Sequence, residues 1–272
     1  RPPVPISAAN SSGSMFFGLF YHIPLGNSIV ILRDLMIIPP HGILISVMTM
    51  NNIPVFTCQG GTATLILREI PISGRAYILL RTVLPDHLGG MLSECEHFCR
   101  MCGAETCFVS WEGSLDFLPH AYDIYLLHAD KAALPEGKSV TLTPMTPEND
   151  SIYQRIYNRC FQSVSHALSY DRAQIARIYR EKQRAFLALT KDGHPYGIGE
   201  LHENELAAVA VLPKYRGRGT DLTLALLKRC PGDTVTVTVA SDNDRALALY
   251  DKLGFRVCAT ESRWYQLPQK TS

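Results

Sequence analysis

The sequence predicts an α/β protein of two domains, residues 1–133 and 139–272, on three observations. A chain of 272 residues is long enough to bury two hydrophobic cores. Runs of β-branched and apolar residues alternate with segments of helical periodicity in both halves. A short pattern also recurs: "TVLP" at 82–85 and "AVLP" at 210–213 each close a strand and lead through a loop into a helix. The next strand opens at Glu105 in one case and Thr234 in the other, 22 and 23 residues after Val83 and Val211, which reads as a diverged internal duplication.

In the first half, "SIVILRD", "ILISVMTM", "IPVFTC", "TATLILREI" and "AYILLRTV" read as strands between residues 28 and 83, with turns at Asn51-Asn52 and Ser73-Gly74. "LPDHLGG" breaks that pattern. A helix follows from about Met91 to Cys102, stopped by Gly103, and then the strands "ETCFVSW" and "AYDIYLLHAD". The stretch "DKAALPEGK", residues 130–138, is polar and carries a proline and a glycine, so the domain boundary is placed there.

The second half opens with the strand "SVTLTPMT" and two helices, near 147–165 and 171–182. "RAFLALTKDGHPYGIGELHENELAAVAVLP" supplies three strands, turning at Asp192-Gly193 and near Asn204. A helix from about Asp221 to Arg229 ends at Pro231-Gly232. The strand "TVTVTVAS", a helix from Asp244 to Lys252 stopped by Gly254, and "FRVCATESRWYQL" complete the chain.

Apolar residues make up 46% of the chain and charged ones 19%, with a formal net charge of +1, which excludes disordered and collagen-like classes. The near-neutral balance also argues against a nucleic-acid partner, because no broad basic surface is available to neutralise phosphates. Met15 to Leu32 is apolar, but His22, Pro24, Gly26 and Asn27 interrupt it, so strands and turns are expected rather than a membrane span. The opening residues "RPPVPISAANSSGS" lack the basic-then-apolar order of a secretory signal. Eight cysteines without a disulfide-framework spacing fit a reducing compartment, so a cytoplasmic protein is expected.

Four of those cysteines fall in "CEHFCRMCGAETC", residues 95–107. Cys95, Cys99 and Cys102 have the CxxxCxxC spacing of radical SAM iron–sulfur enzymes, and His97 and Cys107 keep zinc open as an alternative. Their i, i+4, i+7 spacing equally places them on one face of a helix with Met91 and Phe98, where thiols pack as small hydrophobes. The packing reading is preferred: no large barrel is predicted around the cluster, and the usual zinc-knuckle spacing is absent. Cys160, Cys230 and Cys258 have no neighbouring base or motif that marks a nucleophile.

The strongest chemical signal is "VAVLPKYRGRGTDLTLALL". A strand delivers the chain to a basic, glycine-bearing loop that opens a helix, so backbone N–H groups and the positive end of the helix dipole converge on one spot. Gly217 and Gly219 permit close approach, and Arg216 and Arg218 add charge suited to a diphosphate.

Together with "NDRALALYDKLGF" at 243–255, which reads NxxAxxxYxKxGF, this loop makes residues 139–267 resemble the GNAT superfamily of acyl-CoA-dependent N-acyltransferases. The resemblance implies two GNAT-like domains, each a mixed, mostly antiparallel central sheet flanked by helices, with the first copy degenerate. It implies acetyl-CoA as cosubstrate, no metal, and a small-molecule or peptide amine as acceptor partner. By position, Val209, Ala210 and Val211 would offer backbone groups to the pantetheine arm. Arg216, Gly217, Arg218, Gly219 and Thr220 would cradle the pyrophosphate, Asn243 would bond to the coenzyme, and Tyr250 would protonate the departing thiolate.

Two departures from the family pattern stand out. Asp221 replaces the last small residue of the loop; it is expected to cap its own helix, and otherwise to put a carboxylate beside two phosphates. Thr238 stands where some relatives carry a basic glutamate, five residues before the asparagine. Glu200, on the strand beside the central one with His202 behind it, is the expected general base, acting directly or through a water. The first half has "DHLGG" where the second has "KYRGRGTD", so no coenzyme site is expected there. The expected function is acetyl transfer to a primary amine by direct attack in a ternary complex; the alternative is a non-catalytic acyl-CoA-binding or protein-interaction module.

Overall fold

The computed structural model describes residues 48–50, 53–58, 60–181 and 184–268. The strands expected between 28 and 47 lie outside them. The first half comprises β1 (Met48–Met50), β2 (Ile53–Cys58), β3 (Gly61–Ile66), α1 (Ile70–Ser73), β4 (Arg75–Val83), α2 (Leu88–Met101), β5 (Thr106–Ser110) and β6 (His120–Asp130). The second comprises β7 (Thr141–Pro144), α3 (Asp150–Phe161), α4 (Arg172–Arg180), β8 (Arg184–Leu189), β9 (Pro195–His202), β10 (Glu205–Val211), α5 (Gly219–Leu227), β11 (Thr234–Ala240), α6 (Asp244–Lys252) and β12 (Arg256–Gln266).

All the strands join one sheet in the order β1-β2-β3-β4-β5-β12-β6-β11-β10-β9-β8-β7. Two neighbouring pairs, β4 with β5 and β10 with β11, run parallel, and the rest are antiparallel. The order at the centre was not visible in the sequence. β6 belongs to the first half yet lies between β12 and β11, and β12 belongs to the second half yet lies between β5 and β6. Each half therefore borrows the other's last strand to cover an open backbone edge.

The two halves share a local plan. β4 ends at Val83 and β10 at Val211; Leu84 and Leu212 each precede a short 3-10 turn, Pro85–His87 and Pro213–Tyr215. The N–H of Leu84 donates to the Gly60 carbonyl and that of Leu212 to the Tyr196 carbonyl, both at 2.8 Å. A helix and a parallel strand then follow in each half.

Three apolar layers position the site. On one face of the second half, α5 and α6 pack Leu222, Leu224, Leu226, Tyr250 and Leu253 onto Val235, Val237 and Val239 of β11. On the other face, α3 and α4 pack Tyr153, Tyr157, Ile175 and Ile178 onto Ala185, Leu187 and Ile198. Gly197 and Gly199 make the first packing possible: a Cβ at Gly199 would stand 2.2 Å from Leu226 Cδ1, and one at Gly197 2.6 Å from the Ala210 carbonyl oxygen. The third layer is the core of the first half. There Cys95 and Cys99 of α2 and Cys107 of β5 are fully buried among Phe56, Leu65, Ile78 and Met91. Cys102 departs from the expected face, because α2 ends at Met101 and Cys102 is its exposed C-cap. Burial pushes the Cys95 thiol up to about 12, so it sits in the core as a neutral thiol.

Among the described residues no helix is long and apolar enough to cross a membrane. The same residues hold no group of three or more His, Cys, Asp or Glu arranged to bind a metal ion.

Candidate active site

The site begins with a failure of pairing. β10 and β11 run parallel but share only one register pair, Glu205 with Thr236, and diverge beyond it. β4 and β5, in the same position in the first half, stay paired at five positions from Arg75 with Thr106 to Leu79 with Ser110. Beside this divergence, in the second half, lies a cleft that is continuous with solvent. Leu206 to Val209 line one wall and Val237 to Ala240 the other, with Asn243, Ala246 and Tyr250 of the α6 segment on one side and 164–167 of the α3–α4 loop on the other.

The basic loop lies outside the cleft lining, between the end of β10 and the start of α5. Gly217 has φ +93° with open space where a Cβ would point, so the turn needs a residue at ease in the left-handed region. α5 begins at Gly219, two residues earlier than the sequence suggested, and no side chain caps it. The first-turn N–H groups of Gly219, Thr220 and Asp221 have no acceptor within the helix and are available to an anion. Arg218 is held over the rings of Tyr196 and Tyr215, 5.1 and 5.5 Å from their centroids, which fixes its guanidinium beside that helix start.

Asp221 does not cap α5. Its Oδ1 accepts the Lys138 N–H at 2.9 Å, so the carboxylate ties the linker between the halves onto the helix. Lys131 adds a second tie, from Nζ to the Cys230 carbonyl at 2.5 Å. The carboxylate that threatened to repel phosphates is thus engaged by the linker.

Tyr250 is 6% exposed and lines the cleft. Burial raises its phenol above the ordinary tyrosine value, so it carries its proton throughout the neutral range. Asn243 also lines the cleft, and its Oδ1 accepts the Ala246 N–H at 3.2 Å as the N-cap of α6. Val209 lines the cleft directly, while Ala210 and Val211 continue β10 away from it, paired with Ile198 and Gly197 of β9.

Glu200 lies elsewhere. It is 3% exposed on β9, outside the cleft lining, and its Oε2 accepts hydrogen bonds from Tyr153 at 2.9 Å and Tyr170 at 3.1 Å. Burial raises this carboxyl, and the two phenols partly offset the rise. His202 is half-buried and stands opposite Glu205 in the β9–β10 register.

Glu205 is the carboxylate that sequence reasoning missed. It opens β10 at the apex of the divergence, and its Oε1 accepts the Thr238 hydroxyl, a cleft-lining group, at 3.3 Å. Its carboxyl is pushed up to about 7, by burial first and then by the charge of Glu261, with the Thr238 bond pulling the other way and Glu200 adding to the rise. Glu261 is the extra residue of a β-bulge in β12, between Thr260 and Ser262, and its Oε2 is buried without a hydrogen-bond partner among the described residues. Thr238 was read as the loss of a base. Its hydroxyl instead donates to a carboxylate supplied by the neighbouring strand, a link that needs the strand pairing to become visible.

The two faces divide the labour. Tyr250 belongs to the layer that includes α5, and Glu200 to that of α3 and α4. Tyr250 lines the cleft, whereas Glu205, like Glu200, lies outside the lining and reaches it only through the Thr238 hydroxyl.

A parallel strand pair splayed over an uncapped helix start, within a curled mixed sheet flanked by helices, is a GNAT-like α/β fold. Residues 151–255 match the model of the acetyltransferase (GNAT) family. The chain is 39% identical over 67 residues to the N-alpha-acetyltransferase RimI of Mycobacterium tuberculosis (strain ATCC 25618 / H37Rv), a match spanning 24% of this chain and 42% of that relative's length. Among solved structures, a GCN5-related N-acetyltransferase from Anabaena variabilis superposes with a TM-score of 0.56 at 13% identity, over 79% of this chain and 62% of that one. One from Sphaerobacter thermophilus gives 0.50 at 16% identity, over 79% and 80%. At such identities the structural likeness speaks to fold alone.

Proposed function

We propose that the protein is an N-acetyltransferase that moves an acetyl group from acetyl-CoA to a primary amine. The observation that carries this reading is the divergence of β10 from β11 beyond Glu205 and Thr236, because it creates a slot for a thioester where the first half has none. Arg216, Gly217, Arg218, Gly219 and Thr220 receive the pyrophosphate at the start of α5. Val209, Ala210 and Val211 run beside the pantetheine arm, and Asn243 faces the coenzyme from the start of α6. The first half acts as a second, degenerate copy of the same unit.

In the reaction, the amine nitrogen attacks the thioester carbonyl carbon to give a tetrahedral intermediate, whose oxyanion the backbone N–H groups of β10 stabilise. Glu205 takes the proton from the attacking nitrogen, and Glu200 shapes its surroundings through Tyr153 and Tyr170. The carbon–sulfur bond then breaks and Tyr250 gives a proton to sulfur. Exchange with solvent restores both groups. The name of the RimI relative makes the α-amino group of a peptide the first acceptor to try.

Calorimetry with acetyl-CoA, followed by thiol release in the presence of a peptide with a free α-amino terminus, tests the reading. Binding and turnover are expected, and Arg216→Ala is expected to weaken binding. No heat with acetyl-CoA, or identical behaviour of Arg216→Ala and the parent, overturns it. Binding without turnover on any amine would favour the rival, a non-catalytic acyl-CoA-binding or interaction module.

A further inference from the structure

In the loop that joins α3 to α4, residues 162–171, positions 164–167 line the cleft, and the first half of the chain holds much of this loop. Ser165 and Tyr170 are tied within the second half. Asn158 Oδ1 accepts the Tyr170 N–H at 2.7 Å, Gln154 and Asn158 both donate to the Tyr170 carbonyl, and Ser165 donates to Asp242. Ser169, next to Tyr170, is tied to the other half. Glu69, 3% exposed at the start of α1, accepts the Ser169 N–H on Oε1 at 2.8 Å and the Ser169 hydroxyl on Oε2 at 3.0 Å, across 100 residues of sequence.

Three residues before Ser169, the His166 backbone adopts φ +66°, an uncommon conformation for a residue with a side chain. Its ring is 95% buried and lies between Tyr77 of β4, Tyr122 of β6 and Trp264 of β12, with centroids 6.0, 5.8 and 4.9 Å away. Tyr122 meets His166 Nδ1 at 3.3 Å. Leu168 is buried in the same cluster. Yet His166, Ser165 and Ala167 line the cleft. A left-handed backbone persists when its surroundings over-determine it, and here most of those surroundings are first-half residues.

We propose that Glu69 is a positioning residue for the acceptor: with Tyr77 and Tyr122 it fixes the shape of the 162–171 loop, so that the first half of the chain, whose β4 and β5 stay paired, completes the acceptor mouth of the second. This rests on the acetyltransferase reading of the cleft. The coenzyme loop lies at the start of α5, on the opposite face of the sheet from α3 and α4, so the clamp should act on acceptor binding and leave coenzyme binding alone.

The test uses the full chain and compares Glu69→Ala, Glu69→Gln, Ser169→Ala and the double alanine variant. The probe is a synthetic peptide with a free α-amino terminus. Readouts are the KM for that peptide, kcat, acetyl-CoA affinity by calorimetry, and amide hydrogen exchange across 162–171. Glu69→Ala is expected to raise the peptide KM about tenfold, as fits loss of a charge-assisted bond pair, with kcat and acetyl-CoA affinity nearly unchanged. Exchange should rise within 162–171 and nowhere in α5. Glu69→Gln, which can still accept from the Ser169 amide and donate to its hydroxyl, should stay near the parent, and the double variant should lose no more than Glu69→Ala alone.

The proposal is overturned if exchange across 162–171 is unchanged in both Glu69→Ala and Ser169→Ala, or if peptide KM does not move. It is also overturned if acetyl-CoA affinity falls in step with KM, which would mark Glu69 as a general stability element. A parent that binds acetyl-CoA but shows this failure leaves the acetyltransferase reading standing; a parent that binds none brings down both.

Discussion

Glu205 is the residue on which the proposed chemistry turns, and its titration makes it measurable. It is surrounded by Glu200 and His202 on β9, Thr238 on β11 and Glu261 on β12, with His128 of β6 opposite Thr236 one strand further on. A base must be ionised to accept a proton, so kcat/KM should rise with pH through about 7 and level off above it. Glu205→Gln should abolish that limb and lower kcat about 100-fold. Stability should show the opposite sign. A carboxyl raised from 4.5 to about 7 binds protons more tightly in the folded state, so its contribution is fully present below 4.5 and is lost as pH rises through 7. Glu205→Gln should therefore be more stable than the parent at pH 8, by on the order of 2 kcal/mol, with the gap closing near pH 4 in thermal or urea denaturation. Tyr250→Phe makes a separate prediction: thiol release slows about 100-fold while acetyl-CoA affinity holds, because only the proton is removed.

Among the elements, α5 carries the proposed coenzyme end, and its position depends on two glycines of β9. Because a Cβ at Gly199 would press on Leu226 at 2.2 Å, Gly199→Ala should push the helix outward, cost about 1–3 kcal/mol in denaturation and weaken acetyl-CoA binding at the same time. Asp221 was legible as a residue but not as a contact. Its partner, Lys138, is 83 residues away in sequence, and only the tertiary path of the linker brings the two together. The helices themselves were readable from periodicity and stops: Asp244–Lys252 has the expected bounds, and α3 and α4 are shorter than the segments expected at 147–165 and 171–182. The difference falls in the 162–171 loop. Tyr170 and Ser169 there trade helical hydrogen bonds for the side chains of Asn158 and Glu69, a competition that local propensity does not register.

For the molecule as a whole, the exchange of β6 and β12 means that neither half has a closed sheet alone. Residues 139–272 expressed separately would expose the edges of β11 and β12 that β6 covers, and should be insoluble or self-associate. Co-expressed with 48–138, they should recover a soluble heterodimer. A monomeric 139–272 fragment that unfolds cooperatively in calorimetry would contradict this. The intact chain should unfold in a single transition, since β6 and β12 together link the two cores.

By itself the sequence determined the helices and strands of the second half, the basic glycine-bearing turn at 214–220, the asparagine that caps α6 and the tyrosine on it, and the repeated strand–turn–helix–strand plan. Each of these is a local signal, written by glycine, by charge or by periodicity within a few residues. Only the tertiary structure decided that β10 parts from β11 while β4 stays with β5, that Glu205 rather than Thr238 or Glu200 stands at the apex, and that Glu69 reaches the cleft wall. Those outcomes depend on which strand edges meet and which carboxylates are buried together, and such contacts join residues from 33 to 100 positions apart.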